Sequence, residues 1–290
     1  MLERWKAMSG SSPPPDEVYG KQKFWDRKIT EQSFSILLAN CTSQIDKARI
    51  LASKAAHTGD WLNAPPIISI GLRMSNETIR VAVGLRLGAQ LCEPHQCSCG
   101  ALVDARGLHG LSCRRNAGRH GRHSLLNDTI RRALNKGRIQ STKEPTGLLR
   151  SHGKRPDGVM LIPWAKGRCR TWDVNSFGYI RDFAHYVNFL STRSCSRTRC
   201  DAQETKYTAL SQTPEFVLLA IETSGVFNSE GLEFVKKIGS RISNSSSGEK
   251  EAAYLFQRIP VAIQKGNSIS FSGSFEQCDN KWEPAPMRCF

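Results

Sequence analysis

The sequence predicts an α/β protein: a small mixed sheet flanked by helices, preceded by a helical region and a Cys/His knuckle. Three observations predict it. Apolar residues recur at helical spacing before residue 91. Residues 91–121 lose that periodicity and become rich in Cys, His, Gly and Arg. From 122 to 243 the order reads helix, strands, helix, strand, helix. The expected organisation is a helical linker region over 1–90, a CCHC-type knuckle over 91–121, an α/β domain over 122–267 and a disordered tail over 268–290.

Residues 8–24, with Ser9-Gly10-Ser11-Ser12-Pro13-Pro14-Pro15, read as a loose leader. A helical pattern follows over 31–56, carried by Phe34, Leu37, Leu38, Cys41, Ile45, Ala48, Ile50, Leu51 and Ala55. Gly59 to Pro66 breaks it, and residues 76–88 form the next helix, with Ile79, Val81, Ala82 and Leu85 available to pack. Over 122–136 the stripe Leu125, Leu126, Thr129, Ile130, Ala133 and Leu134 predicts another. Residues 157–175 read as a hairpin: a β-prone run at 159–162, a turn at 163–167 and a second strand over 168–174. A polar helix is expected at 200–210 and a buried strand at 216–221. Helices follow at 229–243 and 250–265, the last kinked or interrupted at Pro260.

Composition narrows the function. Of 290 residues, 39% are hydrophobic, which with 23 glycines is ordinary for a globular chain and excludes collagen-like or wholly disordered architecture. No apolar run approaches the ~20 residues that span a bilayer. Met1-Leu2-Glu3-Arg4-Trp5-Lys6 lacks the apolar core of a secretory signal. The expectation is a nuclear or cytoplasmic chain, neither secreted nor bound to a membrane, with no small-molecule cofactor. The 41 Lys and Arg against 26 Asp and Glu, a formal charge of +15, favour a polyanionic partner: DNA, with RNA as the alternative.

Ten cysteines in a reducing compartment point to metal before disulfide. Cys97-x-Cys99-x9-His109-x3-Cys113 offers four ligands within 17 residues, a set suited to structural zinc. Cys92 and His95 are spare donors that could replace one member. Cys195 and Cys200 lack enough neighbouring ligands for a second zinc. Between 106 and 138 stand nine cations and one anion, Asp128. Among them Arg114, Arg115, Arg119, Arg122, Arg131 and Arg132 are the expected nucleic-acid contacts, mainly to phosphates.

The hairpin carries the second chemistry. Folding it brings Asp157, at the base of one strand, toward Asp173 near the end of the other. Strand alternation sets Cys169, Thr171, Asp173 and Asn175 on one face. Paired carboxylates suit Mg²⁺, which can activate a phosphodiester for hydrolysis. Pro156-Asp157, fifteen residues, then Asp173-x-Asn175 resembles the PD-(D/E)xK nuclease signature, with Asn where the simple motif has Lys. Lys206 is the expected substitute, making Asp157, Asp173 and Lys206 the candidate catalytic set, with Glu144 as an additional carboxylate. His120 and His123 read as phosphate contacts or helix caps, and Trp164 and Trp172 as sheet packing.

The order of the blocks is more specific than any one of them. GLRLG (84–88), LCEPHQCSCG (91–100), HGLSC (109–113), GRHGRH (118–123), EPTGL (144–148), KRPDG (154–158), PW (163–164) and WDV (172–174) run consecutively. This resembles the C-terminal region of non-LTR retrotransposon polyproteins that use a restriction-like endonuclease, from about residue 4 to 266. The resemblance implies a zinc knuckle at Cys97, Cys99, His109 and Cys113. It also implies a restriction-endonuclease-like (Holliday-junction-resolvase-like) fold, and Asp157 and Asp173 as carboxylates of an enzyme that nicks target DNA. No Tyr-x-Asp-Asp occurs, so the chain reads as the DNA-handling end without a reverse transcriptase. Asn175-Ser176-Phe177-Gly178-Tyr179 departs from the family's Thr-Cys-x-Asp-Thr type of segment. The alternative reading is a catalytically inactive, zinc-dependent nucleic-acid-binding remnant.

Overall fold

The computed structural model describes residues 2–12, 22–146, 155–164, 169–177, 215–245 and 250–275. The helix expected at 200–210 lies outside them. The chain divides into two compact units, Met1–Leu51 and Ala52–Phe290. The helical region expected over 1–90 is therefore shared between them.

The first unit contains α1 (Leu2–Ser9) and α2 (Gln22–Asn40), and α3 (Gln44–Lys54) begins in it. The indole N–H of Trp5 donates to the Trp25 carbonyl at 2.9 Å, and the two rings meet edge to face at 5.0 Å.

The second unit is the mixed α/β body. Its first long helix, α4 (Asn76–Leu87), starts at Ser75, whose hydroxyl accepts from the Thr78 N–H, and stops at Gly88 in the left-handed region. Two sheets follow. A minimal hairpin pairs β1 (His95–Gln96) with β2 (Leu102–Val103). A four-stranded sheet has the order β3 (Ser141–Lys143), β4 (Gly158–Met160), β5 (Arg170–Phe177), β6 (Glu215–Glu222). The first three strands are antiparallel, and β5 and β6 run parallel. The predicted hairpin is β4–β5, with Gly158 opposite Trp172. Strand β3 is too short and polar to stand out in the sequence; pairing with β4 creates it.

Two helices, α6 (Gly118–Lys136) and α7 (Ser229–Ser245), cover one face of the sheet, and α8 (Lys250–Ser272) packs against both. Leu126, Ile130 and Leu134 of α6 join Phe234 and Ile238 of α7 and Leu255, Ile259 and Ile263 of α8. They pack on Met160, Trp172, Val174, Val217, Leu219 and Ile221. Trp172 is fully buried there, and Trp164 also lies in this core, as packing residues should. The alternate residues of β6, Leu218 and Ala220, are buried too. That explains the unbroken apolar run in a strand with a parallel neighbour. Asn228 acts as a neighbour for β6: its amide accepts from the Ala220 N–H and donates to the Leu218 carbonyl, both at 2.9 Å. Those bonds occupy backbone groups that the strand would otherwise expose.

Of the kink or interruption expected at Pro260, the interruption does not occur: Pro260 sits inside α8 without ending it. Its neighbours Ile259 and Val261 are buried in two different apolar clusters, which hold the helix together across the missing backbone bond. The first residues of the tail expected to be disordered, 268–275, are also ordered. The helix runs on to Ser272, and Ser270, Phe271 and Ser274 are buried. Glycines admit this end of α8: a Cβ on Gly118 would lie 2.6 Å from the Ser270 Cα, and one on Gly110 2.9 Å from the Ser270 carbonyl oxygen. Residues 276–290 lie outside the described residues. Among the described residues, no helix is long and apolar enough to cross a membrane.

Candidate metal centres

The β1–β2 hairpin and the short helix α5 (Leu108–Ser112) build the first centre. Cys97 receives a backbone bond from Gly100 at 2.7 Å and gives one to Ala101 at 2.9 Å, so the chain reverses tightly around Cys99. Gly100 has φ +89° in that reversal, and Gly107, at φ +69°, starts α5; both conformations favour glycine. His109 then stands on α5, and Cys113 caps its end.

The ligand atoms of Cys97, Cys99, His109 and Cys113 all lie within 4.8 Å of one another, a cluster that can hold a metal ion. Cys97 Sγ and Cys113 Sγ are 3.8 Å apart. Two thiolates at ~2.3 Å from a tetrahedral zinc would be separated by about 3.8 Å, so the spacing is compatible with zinc. Cys99 Sγ is 3.1 Å from His109 Nε2. A backbone hydrogen bond from Ala101, with further bonds from His109 and the other two cysteines, brings the Cys99 thiol down to about 6 despite some desolvation. Burial pushes Cys113 the other way.

The spare donors are engaged elsewhere. His95 Nε2 lies 3.2 Å from the Ser274 hydroxyl, and its ring stacks on Phe275 at 4.2 Å. The Cys92 thiol donates to the Asp104 and Ala105 carbonyls, and burial pushes it up to about 11.

The second centre forms where α6 crosses the base of the β4–β5 hairpin. Ligand atoms of His123, Asp157 and Asp173 lie within 4.8 Å of one another. Asp157 Oδ2 accepts from the Val174 N–H at 2.6 Å and lies 2.9 Å from His123 Nε2. Burial opposes ionisation of Asp157. Bonds from His123, Asp173 and the Val174 N–H outweigh it, and the carboxyl lies below its ordinary range. The Asp157 hydrogen bond raises the His123 pKa against partial burial, helped by the charges of Asp173 and Glu144. Asn127, one turn along α6, braces the site: it donates to the Asp157 carbonyl at 3.2 Å and accepts from the Trp172 indole at 2.9 Å.

The hairpin thus brings together Asp157 and Asp173, as the sequence predicts. Glu144 stays outside the cluster and meets Asp157 through its backbone N–H, at 3.0 Å. Lys206 lies outside the described residues. His123 is the residue that sequence reasoning misplaced as a phosphate contact or cap. Its signal was available: positions 123, 126, 127, 130 and 134 share one face of α6, so His123 points the way the core residues do.

The six predicted arginine contacts separate. Arg114, Arg115 and Arg119 are exposed in and just after the turn that leaves Cys113. Arg122 is a correction: it is 1% exposed and donates to the Asn267 side chain and the Leu111 carbonyl, both at 3.0 Å. Burial, with Arg119 nearby, lowers its pKa to about 10, so it stays charged at neutral pH. It bonds α6 to α8 and to α5 and cannot meet a phosphate. Arg131 is half-buried. Arg132 lines a cleft of about 430 Å³ with Lys136, Arg258 and Lys265. Nine residues at ~100° each set Arg132 about 180° around α6 from His123.

Compared with protein-family models and with curated proteins, the chain matches none.

Proposed function

We propose that this chain is a divalent-metal-dependent DNA endonuclease with a restriction-like active site at Asp157 and Asp173. The observation that carries the reading is the convergence of these carboxylates, sixteen positions apart in sequence, at one end of the sheet. Oxygen donors in that arrangement fit Mg²⁺. A cation bound there supplies Lewis-acid stabilisation of a phosphodiester under attack by water. The residues of the chain do the rest. The Val174 N–H and His123 fix one Asp157 oxygen, and Asn127 fixes its backbone. Lys206 remains the proposed third catalytic residue.

Zinc at Cys97, Cys99, His109 and Cys113 is structural in this reading. It secures the segment from which Arg114, Arg115 and Arg119 emerge. Arg119 is four residues before His123 on α6, so it stands beside the acidic centre and can hold a phosphate next to the scissile one. The partner is DNA, with RNA as the alternative, and the resemblance to retrotransposon endonucleases belongs with this reading. One observation favours a second reading, an inactive zinc-dependent nucleic-acid-binding remnant: Asn175 stands where the motif has Lys.

Nicking of supercoiled plasmid by the full chain with Mg²⁺ or Mn²⁺ distinguishes the two. The expected result is nicking by the wild type and none by Asp157→Asn at unchanged DNA affinity. Binding without nicking by the wild type would support the inactive remnant.

A further inference from the structure

The acidic centre contains a nitrogen donor that a pure magnesium site does not need. We propose that His123 is the third protein ligand of this centre, and that the centre prefers a first-row transition-metal cation such as Mn²⁺ to Mg²⁺. The inference rests on the reading of Asp157 and Asp173 as metal-binding carboxylates and specifies the metal class they hold.

Geometry comes first. His123 Nε2, the outer nitrogen of the ring, is the atom turned toward Asp157 Oδ2, at 2.9 Å. It shares one 4.8 Å cluster with a carboxylate oxygen from each aspartate. Three elements supply the three donors: α6, the entrance to β4, and β5. The helix cannot rotate the ring away. Arg122, immediately before it, is buried and bonded to Asn267 and Leu111. Asn127, one turn later, is bonded to both Asp157 and Trp172. The His123 side chain is still 40% exposed, which leaves an approach for an ion and its waters.

Donor chemistry sets the preference. Mg²⁺ binds oxygen, keeps much of its water and gains little from imidazole. Later divalent ions accept imidazole nitrogen with increasing affinity, and Mn²⁺ also keeps a taste for carboxylate and water. One imidazole and two carboxylates therefore suit Mn²⁺ better than Mg²⁺.

The alternative role for His123 is positioning, as a hydrogen-bond donor to Asp157. Glutamine separates the two, because His123→Gln retains an N–H donor and removes the imidazole. The probe is Mn²⁺, titrated by electron paramagnetic resonance into full-length protein whose Cys/His cluster has been saturated with zinc. Wild type is expected to bind Mn²⁺ at least tenfold more tightly than Mg²⁺ and to show ¹⁴N coupling in the pulsed spectrum. In His123→Gln the coupling should vanish and Mn²⁺ affinity fall at least tenfold, while Mg²⁺ affinity changes less than threefold. Asp157→Asn should lose both the bound Mn²⁺ and the coupling. Unchanged Mn²⁺ affinity in His123→Gln, or Mn²⁺ bound through Asp157 without ¹⁴N coupling, would overturn the histidine ligand and leave the carboxylate reading standing. Failure of wild type to bind Mn²⁺ or Mg²⁺, or Mn²⁺ bound equally by Asp157→Asn, would sink the carboxylate reading itself.

Discussion

Two arginines three positions apart on α6 have opposite jobs. Arg122 is enclosed and makes its bonds inside the protein; Arg119 is exposed. Replacing Arg122 with Leu strands the Asn267 side-chain oxygen and the Leu111 carbonyl, and an unmet buried partner costs about 1–3 kcal/mol. Urea denaturation should register that loss. Arg119→Gln should leave stability within about 0.5 kcal/mol and lower the salt slope of DNA binding by about 0.9. A stable Arg122→Leu protein would contradict the buried role. The His123–Asp157 pair adds a pH dependence in the metal-free protein. Asp157 is depressed below 3.8, so its contribution is full above 3.8 and is lost as pH falls through the lower folded value. His123 is raised above 6.5, so its contribution is full below 6.5 and is lost as pH rises through the higher folded value. Stability from this pair should therefore be largest between those limits, and His123→Gln should flatten the alkaline side. An unchanged profile in the variant would argue against the pairing.

At the scale of elements, the contact between α6 and α8 depends on glycine for space. In an open helix, Gly→Ala gains up to about 1 kcal/mol. Gly121 meets nothing within 4 Å, so Gly121→Ala should stabilise the protein by roughly that amount. A Cβ at Gly118 would meet backbone atoms of Ser270 at 2.6 and 2.7 Å. There the clash, about 1–3 kcal/mol, should outweigh the same helical gain. Melting temperatures of the two variants should therefore move in opposite directions. This contact also shows where sequence reading stops. The helical stripes, the β4–β5 hairpin, the buried-strand candidate and the Cys/His cluster were legible because each follows from local periodicity or spacing. The buried serines after 268 were not: Ser-Gly-rich composition reads as disorder unless glycines on other elements are known to receive it. The sequence assigns Arg122 to nucleic acid, and misses the partner of His123, for a related reason. Only the distant residues Asn267 and Asp157 show that one is structural and the other joins the acidic cluster.

Across the second unit, the knuckle, the acidic centre and the C-terminal helix are linked. His95 touches Ser274 and Phe275, Arg122 reaches both Leu111 and Asn267, and His123 follows directly on α6. In protein loaded with zinc at the Cys/His cluster, stripping the ion with a chelator should therefore accelerate hydrogen exchange over 95–113 and also over 270–275, while β5 and β6 remain protected. Exchange confined to 95–113 would show that the knuckle does not support the end of α8. Charge acts at this scale as well. Of the +15 excess, Arg114, Arg115 and Arg119 stand within nine residues of His123 in sequence and are exposed. Replacing all three with Gln should reduce the salt slope of DNA binding by roughly 2.7. The most direct measurement of metal-dependent nuclease function is extension from the cut itself. Attack of water on phosphorus in line with the 3′-oxygen breaks the P–O3′ bond and leaves a 5′-phosphate and a 3′-hydroxyl that a DNA polymerase can extend. Plasmid treated with the wild-type chain and a divalent cation should become an extendable template, and plasmid treated with Asp173→Asn should not. Absence of extendable ends with the wild type in both Mg²⁺ and Mn²⁺, or equal extension with Asp173→Asn, would contradict the assignment.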